Sequence, residues 1–262
     1  MDKDVVGMKS ATQKTSIERR VARIVHGFKL AGIKLLAFDF DLTLLNIHTH
    51  GRWQSGAVEL SEHLRPVFVE LIKQCMKNSV IIAVVTFSQQ TELVASTLEH
   101  ALEGVSISCE YGRLVRGEIL LRGMDDTWRA PNITRLSPVW ALFSGMGGKV
   151  GHILAIVHQL ETHGSYIHGR SCELFPENIL YFDDDMANCE ITLGGATGIC
   201  TAVIPICDAH LTNDMIVQDL ERKYCAGQEF QHLTLEHARS AANALYPGGS
   251  IGRVLTSYCM IM

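Results

Sequence analysis

The chain of 262 residues is defined first by what it lacks. Its eight cysteines include no CxxC pair, which removes the common zinc and dithiol signatures. Cys75, Cys189 and Cys200 lie in apolar or small-residue settings, as reduced core cysteines do. This favours a reducing, cytoplasmic setting over secretion. No apolar run approaches the roughly 18 residues that span a bilayer, and the polar segment Met1–Ser16 has no apolar h-region of a secretory signal. Asp2 occupies the position where N-myristoylation requires glycine. There is no excess of basic residues: the net charge is −5, which argues against a nucleic-acid partner bound through a basic face. No internal repeat or low-complexity tract occurs.

What remains is an ordinary globular composition, 47% hydrophobic and 19% charged, long enough for one domain with appendages. Residues 1–16 read as a mobile arm, 17–225 as the domain and 226–262 as a carboxyl-terminal extension.

The organising stretch is Lys34-Leu35-Leu36-Ala37-Phe38-Asp39-Phe40-Asp41-Leu42-Thr43. A short apolar run reads as a buried strand, and charges at its carboxyl end emerge where α/β sheets bind ligands. Two carboxylates this close need a cation or a proton between them. An acidic turn with Asp capping the backbone is the competing reading.

Around this strand, Ile17–Leu30 has helical periodicity, with Ser16 as N-cap and Gly32 as stop. Asn46–Gly56 is a polar loop carrying His48, His50, Arg52 and Trp53. Two neutral imidazoles without a third ligand are a poor zinc site, and a loop facing substrate is preferred. Ala57–Lys77 is helical, with Pro66 either kinking it or opening a second helix. Val80–Thr86 is apolar on both faces, as a central parallel strand is. Gln89–Leu102 is a helix, Val105–Cys109 a short strand, Glu110–Arg113 a turn and Leu114–Leu121 a hairpin arm. Asp125–Pro138 is irregular, and Gly145–Gly148 leads flexibly into a helix over Lys149–Leu160. Ile179–Phe182 is a strand ending in Asp183-Asp184-Asp185, followed by a helix over Met186–Leu193 closed by Gly194-Gly195. Ile199–Ile206 is a strand, Asn213–Lys223 a helix, and Leu235–Leu245 another. Strands alternating with helices predict an α/β, Rossmann-like, doubly wound parallel sheet.

In such a sheet the strand ends share one edge. Asp39, Asp41, Thr86, Asp183 and Asp184 then meet there, with Lys149 at the start of a helix. Each element is weak alone; the ordered set is not. Asp39-Phe40-Asp41-Leu42-Thr43, then Thr86, Lys149 and Asp183-Asp184 resembles the four motifs of the haloacid dehalogenase superfamily of phosphohydrolases, over about residues 34–206.

The resemblance implies a magnesium-dependent phosphomonoester hydrolase with a Rossmann-like core. Asp39 is then the nucleophile, forming an aspartyl-phosphate, and Asp41 the general acid and later base. Thr86 and Lys149 hold the phosphoryl oxygens. Asp183 and Asp184 hold Mg2+, with Asp39 and the backbone carbonyl of Asp41. A carboxylate is a competent nucleophile toward phosphorus, Mg2+ takes few carboxylates plus phosphate oxygens, and a lysine offsets charge developing on the equatorial oxygens. Lys149 as an ordinary solvated lysine is the plain alternative. Asp185 reads as a helix cap, and Asn188 as a polar support to the metal site.

Between Asp41 and Thr86 one loop and one long helical region fill the interval, and the next interval leaves about 30 residues for an insertion around 112–145. The cap is expected to be small or absent and the site open, suited to a phosphorylated small molecule or protein. A catalytically inactive scaffold on the same fold, or a phosphotransferase, are the other classes this sequence accommodates.

The last four residues, Cys259-Met260-Ile261-Met262, fit the C-a-a-X pattern for farnesylation. One lipid gives weak, reversible membrane association, and the preceding stretch Gly248–Arg253 holds only one basic residue. An apolar tail that merely contains cysteine is the alternative.

Overall fold

The structure, a computed structural model, describes residues 3–109, 118–124, 148–163, 174–185, 188, 202–205 and 212–225. The elements are α1 (Lys3–Leu30), β1 (Leu35–Phe38), α2 (Ala57–Ser61), α3 (Pro66–Lys77), β2 (Ile81–Val85), α4 (Thr91–Leu102), β3 (Ile107–Ser108), β4 (Ile119–Arg122), α5 (Gly148–His163), β5 (Ile179–Asp183), β6 (Ala202–Pro205) and α6 (Asn213–Tyr224).

The six strands form one sheet in the order β3-β4-β2-β1-β5-β6, and every pairing is parallel. The fold is the expected α/β doubly wound sheet. β1 is central: chain order runs toward β2 on one side and β5 on the other, the topological switch point where such sheets bind ligands.

Alternate strand residues face opposite layers, as the two-residue strand period demands. Leu36, Phe38, Ile82, Val84, Ile119, Leu121, Leu180 and Phe182 join the core made with α1, α3, α4 and α6. Leu35, Ala37, Ala83, Val85, Leu120, Ile179 and Tyr181 pack instead against Val150, Ile153, Leu154, Ile156, Val157 and Leu160 of α5. Both sheet faces are therefore covered, which explains why β1 and β2 are apolar throughout.

Aromatic packing levels the strand ends. Phe38 is opposite Phe182 in register, their rings stack at 4.6 Å, and Phe68 of α3 sets its ring edge-on to both at 5.6 and 5.5 Å. Such pairs add about 0.5–1.5 kcal/mol beyond the burial itself. The amide of Asp39 continues the ladder to Phe182 O at 2.8 Å, so Asp39 and Asp183 leave the sheet side by side.

Several boundaries differ from the sequence reading. The first helix starts at Lys3, so Ser16 lies inside it; residues 3–15 contain no proline and are compatible with continuing the helix. Val21, Ile24, Val25 and Phe28 are buried as the periodicity requires. Arg20 bonds Glu221 at 2.8 and 3.0 Å and Asp214 at 3.0 Å, tying α1 to α6. Pro66 opens α3 at its first position rather than kinking one long helix.

The expected hairpin arm is β4, which runs parallel to both β2 and β3. All four of its residues are buried, so this part of the 112–145 segment belongs to the core sheet. Its apolar run Ile119-Leu120-Leu121 needs partners on both faces, which a hairpin outside the sheet would not give. The helices expected at Met186–Leu193 (apart from Asn188) and Leu235–Leu245 lie outside the described residues. So do residues 112–117 and 125–145, the extension 226–262 and Cys259. Among the described residues, no helix is long and apolar enough to cross a membrane.

Candidate active site

After β1 the chain enters a bent turn, Phe40–Leu44, whose backbone is not helical at Asp41 and Leu42. Leu42 takes a positive φ of 55° inside it, an uncommon conformation for a leucine. It is held by Leu42 N to Ile47 O at 3.0 Å and by Leu45 N to Phe40 O at 2.9 Å. Strain of this kind persists only where surrounding bonds fix it. The turn separates the two acids: Asp39 stays in line with the sheet while Asp41 leans toward the loop that follows.

Asp39 is buried, at 7% exposure. Carboxylate oxygens of Asp39, Asp183 and Asp184 lie within 4.8 Å of one another. Lys149, 3% exposed, reaches this cluster from the first turn of α5. Its ammonium donates to Asp39 Oδ1 and, at 2.8 Å, to the carbonyl of Val85 at the end of β2. It also lies 3.9 Å from Asp183 Oδ2 and 4.8 Å from the centre of the Phe87 ring, a cation–π contact. Lys149 is thus a site lysine and not a solvated one.

Asp183 is wholly buried and rich in donors. Tyr181 Oη donates to Oδ2, the amide of Asp185 to Oδ1 at 2.8 Å, and Asn188 Nδ2 to Oδ1 and Oδ2 at 3.2 and 3.3 Å. A carboxylate offers about four lone-pair positions, and these donors take up most of them. Asp184 is half-buried, with Thr43 Oγ1 at 3.5 Å from its Oδ1.

Three carboxylates face one ammonium. Burial pushes Asp39 up to about 7 from its ordinary 3.8, opposed by Lys149 and reinforced by the like charge of Asp183. Burial, then Asp183, raises Asp184 as well. Such a cluster calls for added positive charge. Its all-oxygen donor set, one carboxylate oxygen each from Asp39, Asp183 and Asp184, fits a hard divalent cation of the Mg2+ or Ca2+ kind.

Asp41 lies outside that cluster. Thr49 Oγ1 donates to its Oδ1 and Oδ2 at 2.9 and 2.8 Å, and His48 Nδ1 is 2.8 Å from Oδ2. The Asp41 carboxylate is not among the oxygens grouped at the cluster.

Thr86, 2% exposed, continues β2 through its amide bond to Arg122 O at 2.9 Å. Its Oγ1 accepts from Ser88 N at 3.1 Å. Met124 N bonds Ser88 O at 3.1 Å, and Gly123 runs so close that a Cβ there would sit 2.9 Å from Ser88 O and 2.3 Å from Thr91 Oγ1. The Thr86 turn is therefore shaped by β4. Phe87, next to Thr86, is 46% exposed at the mouth of the site.

Of the four loop candidates, His48 and His50 stack at 4.3 Å, and both are exposed, as is Arg52. Trp53 is half-buried against the core with His63 edge-on at 5.8 Å. Its backbone is clamped by Gln90, whose Oε1 accepts from Trp53 N at 2.8 Å and whose Nε2 donates to Trp53 O at 2.9 Å. Thr49, Tyr181 and Gln90 were missed by sequence reasoning. A hydroxyl between two histidines, eight positions past an acid, was the only available hint of Thr49.

Asp39, Thr86, Lys149, Asp183 and Asp184 thus converge on the carboxyl edge of β1, β2 and β5, with Asp41 beside them. No family model, curated protein or solved structure matches the chain.

Proposed function

We propose that the protein is a magnesium-dependent phosphomonoester hydrolase of the haloacid dehalogenase type, working through an aspartyl-phosphate on Asp39. The observation that carries this reading is the contrast between two nearby acids. Asp39 sits in a buried carboxylate–ammonium cluster, and Asp41, two residues on, is held apart by Thr49 and His48.

Each acid then has its own task. An Asp39 oxygen attacks phosphorus, forming the acyl-phosphate bond as the ester P–O bond breaks, and the leaving oxygen takes its proton from Asp41. Asp41, now a carboxylate, removes a proton from water, whose oxygen attacks phosphorus and breaks the acyl-phosphate bond. Phosphate leaves, and Asp39 and protonated Asp41 are restored.

Lys149 and the Thr86 hydroxyl hold equatorial phosphoryl oxygens where negative charge builds. Asp39, Asp183 and Asp184 would hold the magnesium ion. The bound ion supplies positive charge that keeps Asp39 ionised and shields an incoming phosphate.

Purified protein tests the reading directly. Hydrolysis of p-nitrophenyl phosphate with magnesium, abolished by chelator, supports it. No magnesium-dependent hydrolysis of that ester, nor of a panel of phosphorylated metabolites and phosphopeptides, would overturn it in favour of a scaffold.

A further inference from the structure

We propose that Thr49 and His48 are positioning residues that aim the Asp41 carboxyl at the leaving oxygen, an inference that rests on the phosphatase reading. Asp41 lies in a bent turn, with a side chain 16% exposed. Left to itself, a carboxyl so placed has several rotamers open to it, whereas proton donation demands one orientation, within about 10–20°. Thr49 supplies it. The residue is 8% exposed, and its hydroxyl spans the fork of the carboxyl, 2.9 Å from Oδ1 and 2.8 Å from Oδ2. His48 Nδ1 adds a contact to Oδ2 at 2.8 Å.

The two props are themselves fixed. Thr49 Oγ1 accepts from Gly51 N at 3.2 Å. The His48 ring is stacked on that of His50. The loop is anchored on one side by Leu42 N to Ile47 O at 3.0 Å and Asn46 N to His63 O at 2.9 Å. On the other side the Gln90 clamp holds Trp53. A rigid segment tied to the scaffold at both ends therefore grips the acid.

A simple loop cap would have the same bonds but no bearing on proton delivery, and leaving-group dependence separates the two. An aimed acid matters little when p-nitrophenolate departs and much when a basic phenolate does. The experiment measures kcat/KM with magnesium over a series of aryl phosphates of graded leaving-group basicity, for wild type, Thr49→Val, Thr49→Ser and His48→Ala. Thr49→Val should lose about tenfold more on the most basic leaving group than on p-nitrophenolate, a steeper dependence than wild type. Thr49→Ser, which keeps the hydroxyl, should return the wild-type slope. His48→Ala, altered at an exposed side chain, should steepen it in the same direction and serves if Thr49→Val does not fold. Parallel slopes in wild type and variants, with or without a uniform loss, overturn the inference while leaving the phosphatase reading standing. A wild type inactive on every ester overturns both.

Discussion

Lys149 donates to both the Asp39 carboxylate and the Val85 carbonyl, so one ammonium from α5 bridges the ends of β1 and β2. Sixty-odd residues of chain separate Lys149 from Val85, yet the sheet places its partner atoms on one edge. The ammonium offsets only part of the negative charge it meets there, since Asp183 and Asp184 share the site.

A pH dependence follows from that imbalance. Burial raises Asp39 to about 7 in the folded protein from an ordinary 3.8, so folding favours its protonated form. The resulting stabilisation is complete below about pH 4 and lost as pH rises through about 7. In chelator, the thermal midpoint of the wild type should fall across that interval, and Asp39→Asn should show a shallower fall. Equal slopes in the two proteins would contradict the assignment.

Metal binding should distinguish the paired acids. Asp183 is wholly buried and bonded to Tyr181, Asp185 and Asn188, whereas Asp184 is half-buried at the rim of the same cluster. Asp184→Asn is expected to weaken magnesium activation about tenfold or more with little change in melting. Asp183→Asn is expected to lower the melting temperature too, since it upsets a buried network. Calcium should inhibit, its larger and looser coordination misplacing Asp39. Titration of activity against magnesium, with melting curves, checks all three, and interchangeable effects of the two variants would count against it.

Gly27 marks the tight contact between α1 and α6. A Cβ there would stand 2.3 Å from the carbonyl oxygen of Tyr224, and Phe28 beside it packs edge-on to the Tyr224 ring at 4.6 Å. Gly27→Ala gains about 1 kcal/mol of helix propensity but forces two backbones apart, an overpacking cost of about 1–3 kcal/mol that no rotamer change relieves. The cost should win, giving a lower urea midpoint; an unchanged or higher midpoint would show that the helices can separate freely.

Gly123 plays the matching part beside the site. Gly123→Ala places a methyl group against Ser88 O and Thr91 Oγ1, and so displaces the turn that presents Thr86. KM for p-nitrophenyl phosphate should rise about fivefold or more, on the scale of one weakened hydrogen bond. Steady-state kinetics with unchanged KM would mean that Thr86 does not depend on this support.

The central strands were legible because their signal is local: Leu35–Phe38, Ile81–Val85 and Ile179–Phe182 are apolar runs that end in polar residues. The acids at the ends of β1 and β5, Thr86 and Lys149 followed from topology once the sheet was taken as parallel. β4 was not legible, because Ile119–Arg122 is too short to say whether its partner runs parallel or antiparallel; that depends on which edge of β2 is open. The bifurcated bond from Thr49 to Asp41 was hidden for another reason: it depends on the bend at Leu42 and on the Gln90 clamp, neither of which has a sequence period.

The covalent role proposed for Asp39 is tested most directly by an attempt to trap an acyl-phosphate. Wild type turning over p-nitrophenyl phosphate with magnesium is quenched with borohydride, which reduces an aspartyl-phosphate to homoserine, and the tryptic peptide Leu35–Arg52 is sequenced by mass spectrometry. Homoserine at position 39, dependent on both substrate and magnesium and absent in Asp39→Asn, is the predicted result. Sustained turnover with Asp39 unmodified, together with near wild-type activity in Asp39→Asn, would contradict it.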